Sequence, residues 1–292
     1  DMKYAMFPML ERIPGFRRSH LTKHIDFINS VILSIIDKRK KKQANNDSVL
    51  TKNLTELEST DLENKDLLHY LLKAETDETN LKKALTTEEL LNDLKVFLIA
   101  GHDSTASALS ATLYYLGKNP DCQQKAREEV IKIMGDEKRD IIPTLNQIKE
   151  MKYINMVINE TLRIHPPAPG LNARVTQKET SLGEYVLPKG QVVIPNLYAL
   201  HHSKKLWGDE PYRFQPERFA DSEGNTLQSY KFTPFGGGVR ICIGMNFSLA
   251  EQRVFLAMLV RKYRWTIPKE TIHKDKIEFR RIYTLPLKEG ID

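Results

Sequence analysis

Apolar residues recur at helical spacing over most of the chain, and the stretches between these runs set the element boundaries. Leu21, Ile25, Ile28, Ile32 and Ile35 share one face of a predicted helix over residues 19–42, opened by Ser19 and closed by the basic run 38–42. Residues 43–65 are polar and weakly patterned, which predicts a surface linker, and DLLHYLLKA over 66–74 predicts a short amphipathic helix. The longest periodic stretch begins at Thr86, whose partner in a capping box is Glu89, and runs to Leu116 before the stop signal GKNP. A helix over 86–117, about thirty residues at 1.5 Å each, makes a rod of roughly 45 Å. The next helix spans 119–135, with Asn119 as cap, Pro120 in the first turn and Gly135 just past the end. Another spans 151–164 and stops before Pro166 and Pro167.

Beyond residue 171 the period changes. Residues 172–198 hold short β-type runs with turns at Gly183 and Gly190. Residues 203–240 form an irregular stretch rich in proline, glycine and aromatics, and loops of that length inside a domain are usually functional. A last helix is predicted over 243–262, followed by short strands over 263–288. The fold class is mainly α with a small β region, and no internal repeat is visible.

Composition narrows this only a little. The 292 residues carry 44 Lys and Arg against 38 Asp and Glu, a net charge of +6, which favours acidic partner surfaces without demanding nucleic acid. The KRKKK run at 38–42 reads as a solvated helix end suited to the C-terminal dipole rather than as a nucleic-acid patch. Two cysteines, Cys122 and Cys242, cannot build a disulfide framework, so the chain reads as facing a reducing compartment. No stretch reaches the ~18 apolar residues of a membrane span. The chain starts at Asp1 rather than Met, which reads as a piece of a longer protein.

The chemistry concentrates in FTPFGGGVRICIG, residues 232–244. Cys242 lies where a glycine loop enters the last helix, and free N–H groups there favour a thiolate. Gly236, Gly237, Gly238 and Gly244 remove side chains, so a flat partner can approach the backbone. Arg240, two residues from the thiol, can meet a carboxylate on that partner. A thiolate, a bare glycine platform and a cation together fit an axial ligand site for haem.

At this point the sequence resembles a known family. FGGGVRICIG matches the haem-binding loop of the cytochrome P450 family at Phe235, Gly238, Arg240, Cys242 and Gly244. ETLR at 160–163 resembles the family's Glu-x-x-Arg helix, PERF at 216–219 the segment supplying a second arginine, and AGHDST at 100–105 the oxygen-activation segment. All four occur in the family's order. The resemblance covers nearly the whole chain but maps onto the family's C-terminal part, so the chain is expected to be one portion of a single haem-thiolate domain.

The resemblance implies a haem-thiolate monooxygenase that places one atom of O2 in a hydrophobic small molecule. Haem b would take Cys242 as axial ligand. Ala100, Arg174, Phe235, Gly236, Arg240 and Gly244 would line it, with Arg174 and Arg240 on its propionates. Asp103 would feed protons, and Ser104, where most members have threonine, would hold the water chain beside Thr105. A glycine and two hydroxyl residues mid-helix predict a local opening of the long helix there. His102 is expected to face away from the haem. Glu160, Arg163 and Arg218 would form a buried network behind the haem loop, while Ala168, Leu171 and Tyr283 would line the substrate pocket. Electrons would come from an NADPH-dependent, cytochrome-reductase-type flavoprotein docking on a basic face that includes Lys231, Arg253 and Lys262. The enzyme would sit on the cytosolic face of the endoplasmic reticulum membrane, its anchor outside this chain. Three rivals stand beside this reading: a haem-thiolate isomerase or dehydratase that needs no reductase, a haem-binding fragment without turnover, and a cysteine-nucleophile hydrolase, for which no histidine lies near Cys242 in sequence.

Overall fold

The computed structural model describes residues 19–50, 66–75, 85–220, 230–271, 273 and 277. The chain divides into two units, residues 1–99 and 100–292. In the first, α1 (Ser19–Leu50) and α2 (Leu67–Glu75) meet the opening turns of α3 (Thr87–Lys118). Ile32, Ile36, Leu72 and Leu90 are the buried residues of this small core. The α3 start has the expected capping box: Thr86 N donates to Glu89 Oε2 at 2.8 Å, and Glu89 N donates to Thr86 Oγ1 at 3.1 Å. Asp66 caps α2 by accepting from His69 N at 2.9 Å, and it also pairs with Arg39.

Two expectations for this unit need correction. The first helix runs on to Leu50, because nothing between 43 and 50 is a glycine or proline and extending a formed helix by one residue is cheap. The basic run therefore lies inside α1, not at its end, and the dipole argument for it lapses. The buried stripe is Ile32 and Ile36, while Ile25, Ile28 and Ile35 are exposed. Residues 51–65 lie outside the described residues.

The second unit is built on α4 (Pro120–Met134), α6 (Lys152–Ile164) and α9 (Met245–Lys262), which pack on one another. Ala126, Val130, Ile154, Val157, Ile158, Leu256, Ala257 and Val260 fill the space between them and are buried. Side chains close the helix ends. Glu129 accepts from Tyr153 N at 2.7 Å and Ile154 N at 3.0 Å, satisfying donors at the start of α6. Arg127 donates to Val260 O at 2.8 Å near the end of α9. Arg261, itself buried, donates to three carbonyls of the loop after α4, Gly135 O at 2.8 Å, Glu137 O at 2.5 Å and Arg139 O at 3.0 Å.

A short helix, α5 (Leu145–Glu150), was not expected. Its signal was readable, since Thr144 and Gln147 form a capping box with Gln147 N donating to Thr144 Oγ1 at 3.3 Å. Asn119 makes no side-chain cap and instead donates to Tyr115 O at 2.7 Å. The β region consists of two separate antiparallel pairs: β1 (Arg174–Val175) with β4 (Val192–Val193), and β2 (Thr180–Leu182) with β3 (Tyr185–Leu187). Gly183 (φ +59°) and Gly190 (φ +87°) take the left-handed turn positions. Short helices α7 (Leu197–His201) and α8 (Lys204–Trp207) and a 3₁₀ turn at Pro216–Phe219 follow.

Among the described residues after α9 no strand occurs. Trp265 is used for packing instead: its N donates to Gln123 Oε1 at 3.2 Å, and its indole Nε1 donates to Leu113 O at 2.8 Å. The rest of the expected strands lies outside the described residues. Among the described residues no helix is long and apolar enough to cross a membrane.

Candidate functional site

The glycine loop folds on itself before α9 begins. Gly236 N donates to Thr233 O at 2.9 Å, a 3₁₀ turn covers Gly238–Arg240, and Cys242 N donates to Phe235 O at 2.9 Å. Gly236 (φ +75°) and Gly238 (φ +66°) occupy the left-handed region, where a side chain would be strained. A Cβ at Gly236 would also lie 3.5 Å from the Leu171 side chain, which places this predicted pocket residue beside the loop. Phe235 is half-buried and packs on the main core, anchoring one end of the turn. Helix α9 starts at Met245 with Gly244 as its cap, two residues later than expected, because Cys242 O is taken by Met245 N at 3.3 Å.

Cys242 is a free, exposed thiol. The residues about it are apolar and turned outward: Val239 is 102% exposed, Ile243 84% and Phe247 75%. An apolar rim around a single exposed thiol is unusual for a solvated loop and fits a large apolar ligand. Arg240 and Arg174, the latter on β1, are exposed, and neither pairs with a carboxylate or carbonyl among the described residues.

Behind the loop lies a buried ion cluster. Arg163 grips Glu160 through two bonds, Nε to Oε2 at 2.7 Å and Nη2 to Oε1 at 2.9 Å, and both side chains are fully buried. Its remaining donor reaches His201 O at 2.8 Å and Pro211 O at 2.7 Å. Glu160 also accepts from Gln215 N at 2.9 Å. Burial pushes the Glu160 carboxyl up, against the pull of Arg163, Gln215 N and Arg218. Arg218 Nε lies 3.4 Å from Glu160 Oε1, close enough for an ion pair but off the line of a hydrogen bond, while its Nη atoms donate to Trp207 O at 2.8 Å and Glu210 O at 2.7 Å. One more residue joins this cluster to the loop. Buried His201 accepts from Thr233 N through Nε2 at 3.1 Å, at the point where the glycine turn begins. Sequence reasoning gave His201 no role, because nothing local distinguishes a loop-anchoring imidazole from an ordinary one.

On α3 the AGHDST segment stays helical throughout, so the expected opening is not seen. Ser104 is half-buried and donates to Ala100 O at 2.7 Å, a back-bond that such hydroxyls make in intact helices. Ala100 and Asp103 are exposed, and Asp103 Oδ1 is 3.2 Å from His102 Nδ1. Thr105 is buried, and its hydroxyl meets Ser248 Oγ of α9 at 2.9 Å. That contact brings the AGHDST segment against the helix that follows Cys242.

A family model described as Cytochrome P450 matches residues 2–290. The chain belongs to the cytochrome P450 family. Among its relatives, it is 34% identical over 238 residues to human cytochrome P450 3A7, covering 80% of this chain and 46% of that protein. It is 36% identical over 211 residues to cytochrome P450 CYP749A22 of Panax ginseng, covering 71% of this chain and 39% of that protein. It is 30% identical over 277 residues to 11-oxo-beta-amyrin 30-oxidase of Glycyrrhiza uralensis, covering 93% of this chain and 49% of that protein. The chain thus spans less than half the length of these curated relatives.

The P450 cofactor can be tested against the residues present. Among the described residues no three His, Cys, Asp or Glu side chains gather as a metal site, and a haem iron requires only one axial ligand from the protein. The exposed Cys242 thiol, its apolar rim and the two exposed arginines fit that requirement. Of the predicted pocket residues, Ala168 is exposed and Leu171 is half-buried at the loop, while Tyr283 lies outside the described residues. The predicted basic face is mostly committed elsewhere. Arg253 is half-buried and bonds Asn155, Lys262 pairs with Asp140, and Lys231 lies over the Trp207 ring at 5.0 Å from its centroid.

Proposed function

We propose that the chain is the cysteine-bearing part of a haem-thiolate monooxygenase acting on a hydrophobic small molecule. The observation that carries this reading is the exposed Cys242 thiol, held by the Cys242 N to Phe235 O bond within an apolar rim and adjoining the helix that contacts α3. Cys242 Sγ would be the axial ligand of haem b, and Arg240 and Arg174 would bind its propionates through charge-assisted hydrogen bonds. When bound, haem supplies the activation of O2 that puts one oxygen atom into the substrate. The chain's own residues do the rest. Gly236 and Gly238 would let the backbone approach the haem, and the apolar rim of Val239, Ile243 and Phe247 would help exclude water from it. Asp103, exposed on α3, would feed protons, and Ser104, whose hydroxyl can still accept from water while it donates to Ala100 O, would hold the water chain. Ala168 and Leu171 give the substrate an apolar wall.

Electrons would come from an NADPH-dependent flavoprotein. Of the predicted docking face, Arg253 is half-buried, while Lys231 over Trp207 and Lys262 paired with Asp140 are exposed. The family resemblance is the ground for placing the enzyme on the endoplasmic reticulum membrane. Labelled oxygen separates this reading from a haem-thiolate isomerase. The haem-loaded protein with a reductase, NADPH and 18O2 is expected to consume NADPH and place one 18O atom in the product. Rearrangement of an organic peroxide at a rate indifferent to NADPH would contradict it.

A further inference from the structure

The contact between Thr105 and Ser248 is part of a longer chain. Gln252, one turn further along α9, donates through Nε2 to Ser248 Oγ at 3.1 Å, and Ser248 Oγ lies 2.9 Å from Thr105 Oγ1. Thr105 is 4% exposed and Gln252 is 1% exposed, and Gln252 Oε1 is buried without a protein partner among the described residues. Ser248 N also donates to Gly244 O, at the end of the cysteine loop, at 2.9 Å. One serine is therefore tied to the start of α9, to its second turn and to α3.

The surrounding apolar cluster makes this chain informative. Ala108, Leu109 and Leu113 of α3 and Leu249 and Leu256 of α9 belong to the same core. Core packing and the bonds of Ser107 to His165 and of Trp265 Nε1 to Leu113 O hold α3 further along, while the Thr105–Ser248 bond is the directional contact from the Ala100–Thr105 segment to another helix. A hydrogen bond has an angular preference, so this one bears on the orientation of that segment. The donor inventory sets the order: an amide nitrogen only donates, so Ser248 oxygen accepts from Gln252, and the two hydroxyls share the remaining bond. Successive residues of a helix are about 100° apart, so a rotation that freed Thr105 would swing Ser104 and Asp103 with it.

We infer that Ser248 and Gln252 are positioning residues that fix, through Thr105, the orientation of the Ala100–Thr105 segment relative to the helix bearing the Cys242 loop. Neither was singled out by the sequence, and Thr105 changes role from a hydroxyl serving oxygen to the anchor of its segment. The inference rests on the monooxygenase reading of the site.

The test uses the haem-loaded protein, reduced and bound to carbon monoxide. The C–O stretching band reports the polar groups beside the bound gas, which a merely structural substitution on α9 would leave unmoved. Ser248→Ala is expected to shift or split this band and to raise several-fold the share of NADPH electrons lost as hydrogen peroxide. Ser248→Thr, which restores a hydroxyl, is expected to return both towards the original values. Thr105→Val, which keeps shape, is expected to act as Ser248→Ala does, and the pair together is expected to do little more than either alone. Gln252→Leu acts in the same direction with a smaller shift. An unmoved band and an unchanged peroxide share in both Ser248→Ala and Thr105→Val would overturn the inference while leaving the monooxygenase reading intact. Absence of a thiolate-type spectrum from the unsubstituted protein would overturn that reading itself, and the inference with it.

Discussion

Replacing Arg163 by alanine is expected to destabilise the chain by about 3–5 kcal/mol, measured as a loss in chemical denaturation. The size follows from what is left behind. Glu160 stays fully buried without its bidentate partner, and His201 O and Pro211 O lose their charged donor. An exposed pair at the same i,i+3 spacing, such as Glu210 and Arg213, contributes at most about 1 kcal/mol. Arg163→Lys is expected to be nearly as damaging, because an ammonium cannot reproduce the fork that meets both Glu160 oxygens. Replacing both partners by apolar residues, Glu160→Leu with Arg163→Met, is expected to cost much less than the sum of the single changes, since no charge is stranded. Single losses below about 1 kcal/mol would mean that the cluster is no more than an ordinary ion pair.

Acid is expected to weaken the fold through His201. Burial, with a smaller contribution from His202, pushes its imidazole down to about 4 from an ordinary 6.5. Above pH 6.5 the ring is neutral whether the chain is folded or not, and it contributes no pH dependence. Between 6.5 and about 4 the unfolded chain takes up a proton that the folded chain refuses, so stability falls as acid is added. At 1.36 kcal/mol per pH unit the full fall is about 3 kcal/mol. Burial lowers His202 as well, which adds to the same slope. His201→Gln keeps an acceptor for Thr233 N but cannot titrate, so it is expected to flatten this part of the stability curve. A wild-type curve that is already flat between pH 6.5 and 4 would contradict a buried, neutral His201. The bond from Thr233 N to His201 Nε2 is expected to persist in the folded chain over this range and to be lost only as the ring is protonated near 4.

The local elements were easier to read from the sequence than the contacts between them. The tight turn around Cys242 was legible because Gly236 and Gly238 allow the left-handed positions it uses, and Cys242 and Arg240 stood out as candidates because few other purposes put those residues at that spacing. Glu160 and Arg163 were legible as neighbours at i,i+3, and the likeness to a family supplied Arg218 from a distant segment. Periodicity located the large helices, and capping boxes placed their starts, although the one at Thr144 and Gln147 was passed over. The misses share a cause: they depend on contacts between residues far apart in the chain. Nothing near His201 announces that it will accept from Thr233 N. Ser248 and Gln252 read as ordinary polar residues of an amphipathic helix until Thr105 is seen beside them. Arg261 and Glu129 read as solvated charges, yet one pins the loop after α4 and the other caps α6.

The measurement that tests the central claim most directly is the carbon monoxide difference spectrum of the reduced protein supplied with haem. The chain has two cysteines, so substitution can assign the ligand. Cys122 is half-buried, and burial pushes its thiol up, away from the thiolate form. A strongly red-shifted Soret band that survives Cys122→Ser and vanishes in Cys242→Ser is the predicted result. A band that persists in Cys242→Ser, or haem bound without any such band, would contradict the assignment of Cys242 as the thiolate ligand.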